Sequence, residues 1–209
     1  MTTRIPLSSS RRRSARKGDQ TERAILDTAE RLLRERPLAS IGIDELAAGA
    51  GISRPSFYFY FQSREAVLRA LAEQIADELY RSTEAWSRRG DESPEDALRR
   101  VTGMNLALWR EHGAVLRATV HARETDPELR GFWDAVSRRF IDEAAAQIER
   151  ERAAGLAPAG PPARSLAAVL IGMNVRAFQE SSTSRRSAPA DRRLVDTLTA
   201  VWLRAIYGA

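Results

Sequence analysis

The residues best suited to do chemistry lie between 42 and 68, in the stretch GIDELAAGAGISRPSFYFYFQSREAVL. Five consecutive aromatics, Phe57 to Phe61, follow a glycine-containing turn and sit between Arg54 and Arg64. A short helix has a single inward face, so five adjacent rings cannot all be core. Phe57 and Phe61 are four apart and share a face, which makes them the inward pair. Tyr58 and Phe59 then point outward and need a partner. The chemistry on offer is recognition of a polyanion: a tyrosine hydroxyl bonds phosphate, an arginine pairs with phosphate or reads guanine, and an aromatic edge meets a thymine methyl. Arg54, Ser56, Tyr58, Phe59 and Tyr60 form the reach of this segment, flanked by Ser53 and Arg64.

Catalytic constellations are missing from the sequence. His112 and His121 are nine apart without a carboxylate at metal-ligand spacing, and the 209 residues contain no cysteine. That leaves no thiolate metal site, no disulfide framework and no cysteine nucleophile. Neither a glycine-rich phosphate loop nor a nucleophile elbow is present. Asp126 and Glu128 read as helix-start charges. The chain therefore reads as a non-enzyme with no cofactor and no metal.

Composition sets the wider limits. At 43% hydrophobic and 29% charged, the chain can bury one or two cores and is too apolar for wholesale disorder. Its formal net charge of +5 is unevenly spread. Residues 1–18 hold Arg4, Arg11, Arg12, Arg13, Arg16 and Lys17 and no acid, while the remaining residues carry a charge of −1. Residues 1–19 thus read as a disordered basic arm able to lie along phosphates. No segment has the roughly 18 uninterrupted apolar residues of a membrane span, and no apolar run follows the basic start. A soluble, cytoplasmic protein with no membrane partner is expected.

The elements that must position these residues are helical almost throughout. TERAILDTAERLLRERP puts Ile25, Ala29, Leu32 and Leu33 on one face and stops before Pro37. A short helix is expected over about 43–50, ended by AGAGIS, with Ser53 capping a third helix that carries Pro55 in its first turn. Ser63 caps a long helix in which Leu68, Leu71, Ile75 and Leu79 recur at steps of three or four. Farther on, helices start at Ser93-Pro94 and Asp126-Pro127, the second stopping at Gly155. LAPAGPPA (156–163) is a connector, and two helices are expected over about 162–180 and 190–207. No strand, internal repeat or sustained heptad is evident.

Two short helices joined by a tight glycine turn make a helix-turn-helix, whose second helix can enter the major groove. From Thr21 to Leu68 the chain resembles the DNA-binding domain of TetR-type transcriptional regulators. GAGISRPSFYFYF and REAVL, together with LIGMNVRAF (170–178) and LVDTLTAVWLRAIYG (194–208), are similar to the ethionamide-resistance-repressor branch of that family. The resemblance implies an all-α fold: a three-helix DNA-binding domain over 20–65, then a helical ligand-binding and dimerisation domain over 66–209. It further implies a homodimer on a double-stranded DNA operator, released by a small apolar effector. On the matching positions, Trp133, Phe140, Met173, Asn174, Phe178 and Trp202 fall on cavity-lining helices, with Gly103 on the central one and Asn174 as the polar group that orients the ligand.

The last two helices carry apolar rows, Leu166, Leu170, Met173 and Ala177, then Leu194, Leu198, Val201 and Ala205, which suit either a dimer face or an internal core. Departures from the family pattern are Gly42, where relatives carry a capping serine or threonine, and charged or small residues near Arg100, Ala107 and Glu143, which reshape the cavity. A constitutive DNA-binding dimer acting through a protein partner is the alternative reading. Deleting residues 2–17 should lower DNA affinity and flatten its dependence on salt, because fewer counterions are released; anisotropy titrations at several salt concentrations check this.

Overall fold

The computed structural model describes the backbone of residues 9–83, 92–183 and 187–208. Within them are nine α-helices and no strand: α1 (Ser9–Glu35), α2 (Ile43–Gly49), α3 (Arg54–Phe57), α4 (Arg64–Thr83), α5 (Pro94–Glu111), α6 (Gly113–Ala122), α7 (Pro127–Ala153), α8 (Ala163–Thr183) and α9 (Ala188–Tyr207). The chain forms two compact units, Met1–Ala72 and Glu73–Ala209. Their division falls inside α4, beyond the 65/66 boundary expected from sequence. The reason is that α4 is one unbroken helix with apolar residues along its length, so nothing local marks the change of surroundings. The expected disordered arm also differs: α1 already begins at Ser9, and residues 1–8 lie outside the described residues. Arginine, alanine and lysine are good helix formers, so the basic stretch extends the helix that follows it.

In the first unit, α1 buries Ile25, Leu26, Ala29, Leu32 and Leu33 and ends before Pro37, as the residue preceding a proline is pushed out of helical geometry. Gly42 caps α2 without a side chain, so only half of a capping box forms: its N–H donates to Glu45 Oε2 at 2.9 Å. That hydrogen bond, followed by an ion pair with Arg36, holds the Glu45 carboxyl below its ordinary range.

Two glycines then do different work. Gly51 has φ +69°, a left-handed geometry that other residues enter at a cost, and it turns the chain toward α3. Gly49 instead allows α1 and α2 to touch. A Cβ there would lie 2.3 Å from Thr28 Cγ2 and 2.8 Å from its hydroxyl oxygen, while Thr28 is buried and donates to the Ala24 carbonyl at 2.8 Å.

The second unit packs α5, α7, α8 and α9 around Leu98, Ala144, Ile148, Ala167, Leu170, Trp202 and Ile206. Its helix starts follow the sequence signals: Ser93 accepts from the Asp96 N–H at 3.1 Å, and Asp126 from those of Glu128 and Leu129 at 2.9 and 3.1 Å. α7 ends at Ala153, and Gly155 turns out of it at φ +71°. One helix, α6, carries no such signal. It starts immediately after α5, with His112 as the shared cap and no side-chain capping bond.

Replacing Gly49 by alanine should destabilise the first unit by about 1–3 kcal/mol through overpacking against Thr28. The Gly49→Ala/Thr28→Ala double variant should recover part of that loss, read as the midpoint of denaturant unfolding.

Candidate functional site

α3 is four residues long and held by local contacts. Ser53 Oγ accepts from the Ser56 N–H at 3.3 Å and lies 2.9 Å from the Ser56 hydroxyl. Beyond α3 the chain keeps turning: the Tyr60 and Phe61 N–H groups donate to the Phe57 carbonyl at 2.9 and 3.0 Å. Phe57 and Phe61 are both buried, their ring centroids 6.1 Å apart, as their four-residue spacing predicts. Between them Tyr58 and Phe59 face solvent, at 46% and 86% exposure. Tyr60 and Ser56 are half-buried, and Ser53 and Arg54 are exposed.

The two arginines are already engaged. Arg54 donates to Asp44 Oδ2 at 2.8 Å; a hydrogen bond to the Tyr58 side chain, then attraction to Asp44, raise its pKa further above the ordinary value. Arg54 therefore ties α2 to the outward face of the aromatic run. Arg64, expected from sequence to contact DNA, donates in the free chain to the carbonyls of Ala39 and Ile41 at 2.8 and 3.3 Å and to Glu65 at 2.9 Å. Its guanidinium closes the entry to α2 from the start of α4.

The second unit contains a cavity of about 150 Å³. Five helices and α4 contribute to it at helical spacing: Leu98, Val101, Thr102, Asn105 and Trp109 from α5, Trp133, Val136, Phe140 and Glu143 from α7, and Ile171, Asn174, Val175 and Phe178 from α8. Steps of three and four keep such residues on one face. Leu79 comes from α4, Leu116 and Thr119 from α6, and Trp202 from α9. Trp109 and Phe178 pack with centroids 6.4 Å apart. At the polar edge Glu143 bonds to Arg139 at 2.9 Å, and Arg139 lies 3.9 Å over the ring of Tyr80, which stacks on Phe140. Burial raises the Tyr80 pKa.

Within this lining, the Trp202 indole N–H donates to Asn174 Oδ1 at 3.1 Å. An indole can only donate, so it fixes which end of the amide it meets. The Asn174 NH2 is left as a donor at the cavity wall. Trp133, Phe140, Asn174, Phe178 and Trp202 thus come together as expected, but Gly103 and Met173 do not line the cavity. Each sits one helical position from a residue that does, and one position is a rotation of about 100°. Met173 packs against the core, and a Cβ on Gly103 would meet open space. Of the departures noted from sequence, Glu143 lines the cavity, whereas Arg100 forms a two-pronged pair with Glu92 at 2.8 and 2.7 Å away from it.

Comparison with known proteins gives these two units a family. Residues 25–71 match the model of bacterial regulatory proteins of the tetR family, and residues 98–208 match that of the C-terminal domain of the transcriptional regulator EthR. The chain belongs to the TetR family. It is 40% identical over 200 residues to the HTH-type transcriptional regulator EthR of Mycobacterium tuberculosis, covering 94% of this chain and 92% of that one. Identity to the EthR of Mycolicibacterium smegmatis is also 40%, over 201 residues, covering 94% and 91%. The fold is shared with AibR, solved with isovaleryl coenzyme A and operator DNA, at a TM-score of 0.64 and 19% identity over 87% of this chain and 97% of that one. This TetR-family chain is accordingly a DNA-binding transcriptional regulator with a helix-turn-helix in α2 and α3. No helix among the described residues is long and apolar enough to cross a membrane.

The opposite placement of neighbouring rings separates two roles. Phe61→Ala should cost about 3–5 kcal/mol of stability and lower the melting temperature. Tyr58→Ala should cost no more than about 1 kcal/mol, since it loses an edge contact with Phe57 and an exposed hydrogen bond with Arg54, yet weaken binding to operator DNA. Thermal melts and anisotropy titrations of the two variants distinguish these outcomes.

Proposed function

We propose that this TetR-family chain is a ligand-responsive repressor, released from a pseudo-palindromic operator by a small, largely apolar effector. The observation that carries the reading is the cavity in the second unit, where aromatic and aliphatic side chains surround the Asn174 amide held by Trp202. A mostly apolar pocket with a few fixed polar groups selects an elongated apolar molecule and orients it by one acceptor. An ester, amide or ketone carbonyl is the acceptor such an NH2 group would take. A structural relative was solved with an acyl coenzyme A and operator DNA, so this fold accommodates both kinds of partner.

DNA is met through Ser53, Ser56, Tyr58, Phe59 and Tyr60, with Arg54 held against Asp44 and Tyr58. Two copies of the chain pair through α8 and α9, whose Val169 and Val201 remain exposed beside Ala168, Gly172 and Ala200. A dimer with recognition helices about 34–36 Å apart reads successive major grooves, which calls for two related half-sites. An effector favouring the DNA-incompetent dimer by about 1–3 kcal/mol lowers affinity roughly 5- to 150-fold.

The test is fluorescence anisotropy of the full-length protein on a DNA sequence selected from random duplexes, with and without a panel of apolar esters and ketones. Release by a panel member supports the reading; a panel that neither binds nor releases argues for a regulator without an effector. Binding has its own signal, because Trp109, Trp133 and Trp202 all line the cavity and their fluorescence should change. Asn174→Leu should keep DNA binding, abolish release by carbonyl ligands, and lose about 1–3 kcal/mol of stability by removing the Oδ1 acceptor of the Trp202 indole N–H.

A further inference from the structure

We propose that Phe59 determines operator specificity by reading the 5-methyl group of one thymine in each half-site. The inference rests on the DNA-binding reading above and names what that surface recognises. Phe59 is 86% exposed, more than any other exposed large hydrophobic residue among those described. Its direction is set by its neighbours: Phe57 and Phe61, two positions to either side, are buried, and its own N–H donates to the Ser56 carbonyl at 3.2 Å. A ring held outward in this way presents the same apolar face to whatever docks.

Chemistry narrows the target. Phenylalanine has no hydroxyl, so unlike Tyr58 it cannot bond a phosphate. In the free chain Arg54 is paired with Asp44 and Arg64 with the Ala39 and Ile41 carbonyls and Glu65, which leaves the Phe59 ring as the most exposed apolar group beside them. Along the major groove the base edges offer an apolar ring one feature, the thymine methyl. Reading by Phe59 therefore favours a thymine over a cytosine at the same place without any hydrogen bond.

The experiment takes the operator obtained by selection and replaces each thymidine of a half-site, one at a time, by deoxyuridine, which deletes only the methyl. Affinity is measured for the full-length protein and for Phe59→Ala by anisotropy. We expect one position at which the replacement weakens wild-type binding about fourfold, the effect of exposing one buried methyl. Phe59→Ala should bind the parent operator more weakly and be indifferent to that replacement. A selected operator at which no methyl matters, as an intercalating ring would produce, overturns the proposal while leaving sequence-specific DNA binding intact. The same holds if one methyl matters equally to both proteins. Failure of the protein to select any sequence overturns the proposal together with the reading beneath it.

Discussion

The burial of Phe57 is the constraint on which the DNA-facing surface depends. An isolated helix of four residues has no stability in water, because the cost of nucleation is not recovered over so few hydrogen bonds. α3 exists because Phe57 is fully buried and Phe61 nearly so, and because Ser53 ties its first turn. Once those two rings are inward, the intervening residues have no freedom to hide, and Tyr58 and Phe59 are presented as a consequence of packing. The two end rings of the aromatic run are thus buried, and the two adjacent residues after Phe57 are turned outward.

The same economy appears around α2. Its start lacks a capping hydroxyl, and the Glu45 carboxylate bonded to the Gly42 N–H takes part of that role. Its end is pressed against α1 at Gly49 and Thr28, and its side is joined to α3 by Asp44 and Arg54. Charged groups near the surface usually contribute little to stability. Here their value is geometric, since Arg54 and Arg64 restrict where α2 and the aromatic run can sit.

Much of this was legible in the sequence, for local reasons. Ser53, Ser93 and Asp126 announce their helices because capping is a contact between residues two or three apart. The inward pair Phe57 and Phe61 follows from helical spacing alone. α6 was not legible, because it begins on the residue that ends α5 and has no capping side chain. The role of Arg64 was hidden for a different reason: its carbonyl partners lie 25 and 23 residues away. The cavity stands between these cases. Of the residues implied by resemblance, Asn174 and Phe178 line the cavity, whereas Met173 and Gly103 each sit one helical position from a lining residue. Leu79, Thr102, Asn105 and Trp109 needed the packed arrangement of several helices to be recognised as lining.

The Asn174–Trp202 hydrogen bond gives the cavity a property that neither residue has alone. An asparagine in an apolar wall can rotate to offer either its oxygen or its NH2, and a site free to do so discriminates poorly between donors and acceptors. Trp202 can only donate, so its bond to Oδ1 removes that freedom before any ligand enters. It also joins α8 to α9, the helices that carry the exposed valines proposed as the dimer face. In the proposed reading, a ligand that engages the Asn174 NH2 therefore acts on a hydrogen-bonded pair that joins the two helices assigned to the dimer face. This link is the physical route by which occupancy would bear on the dimer.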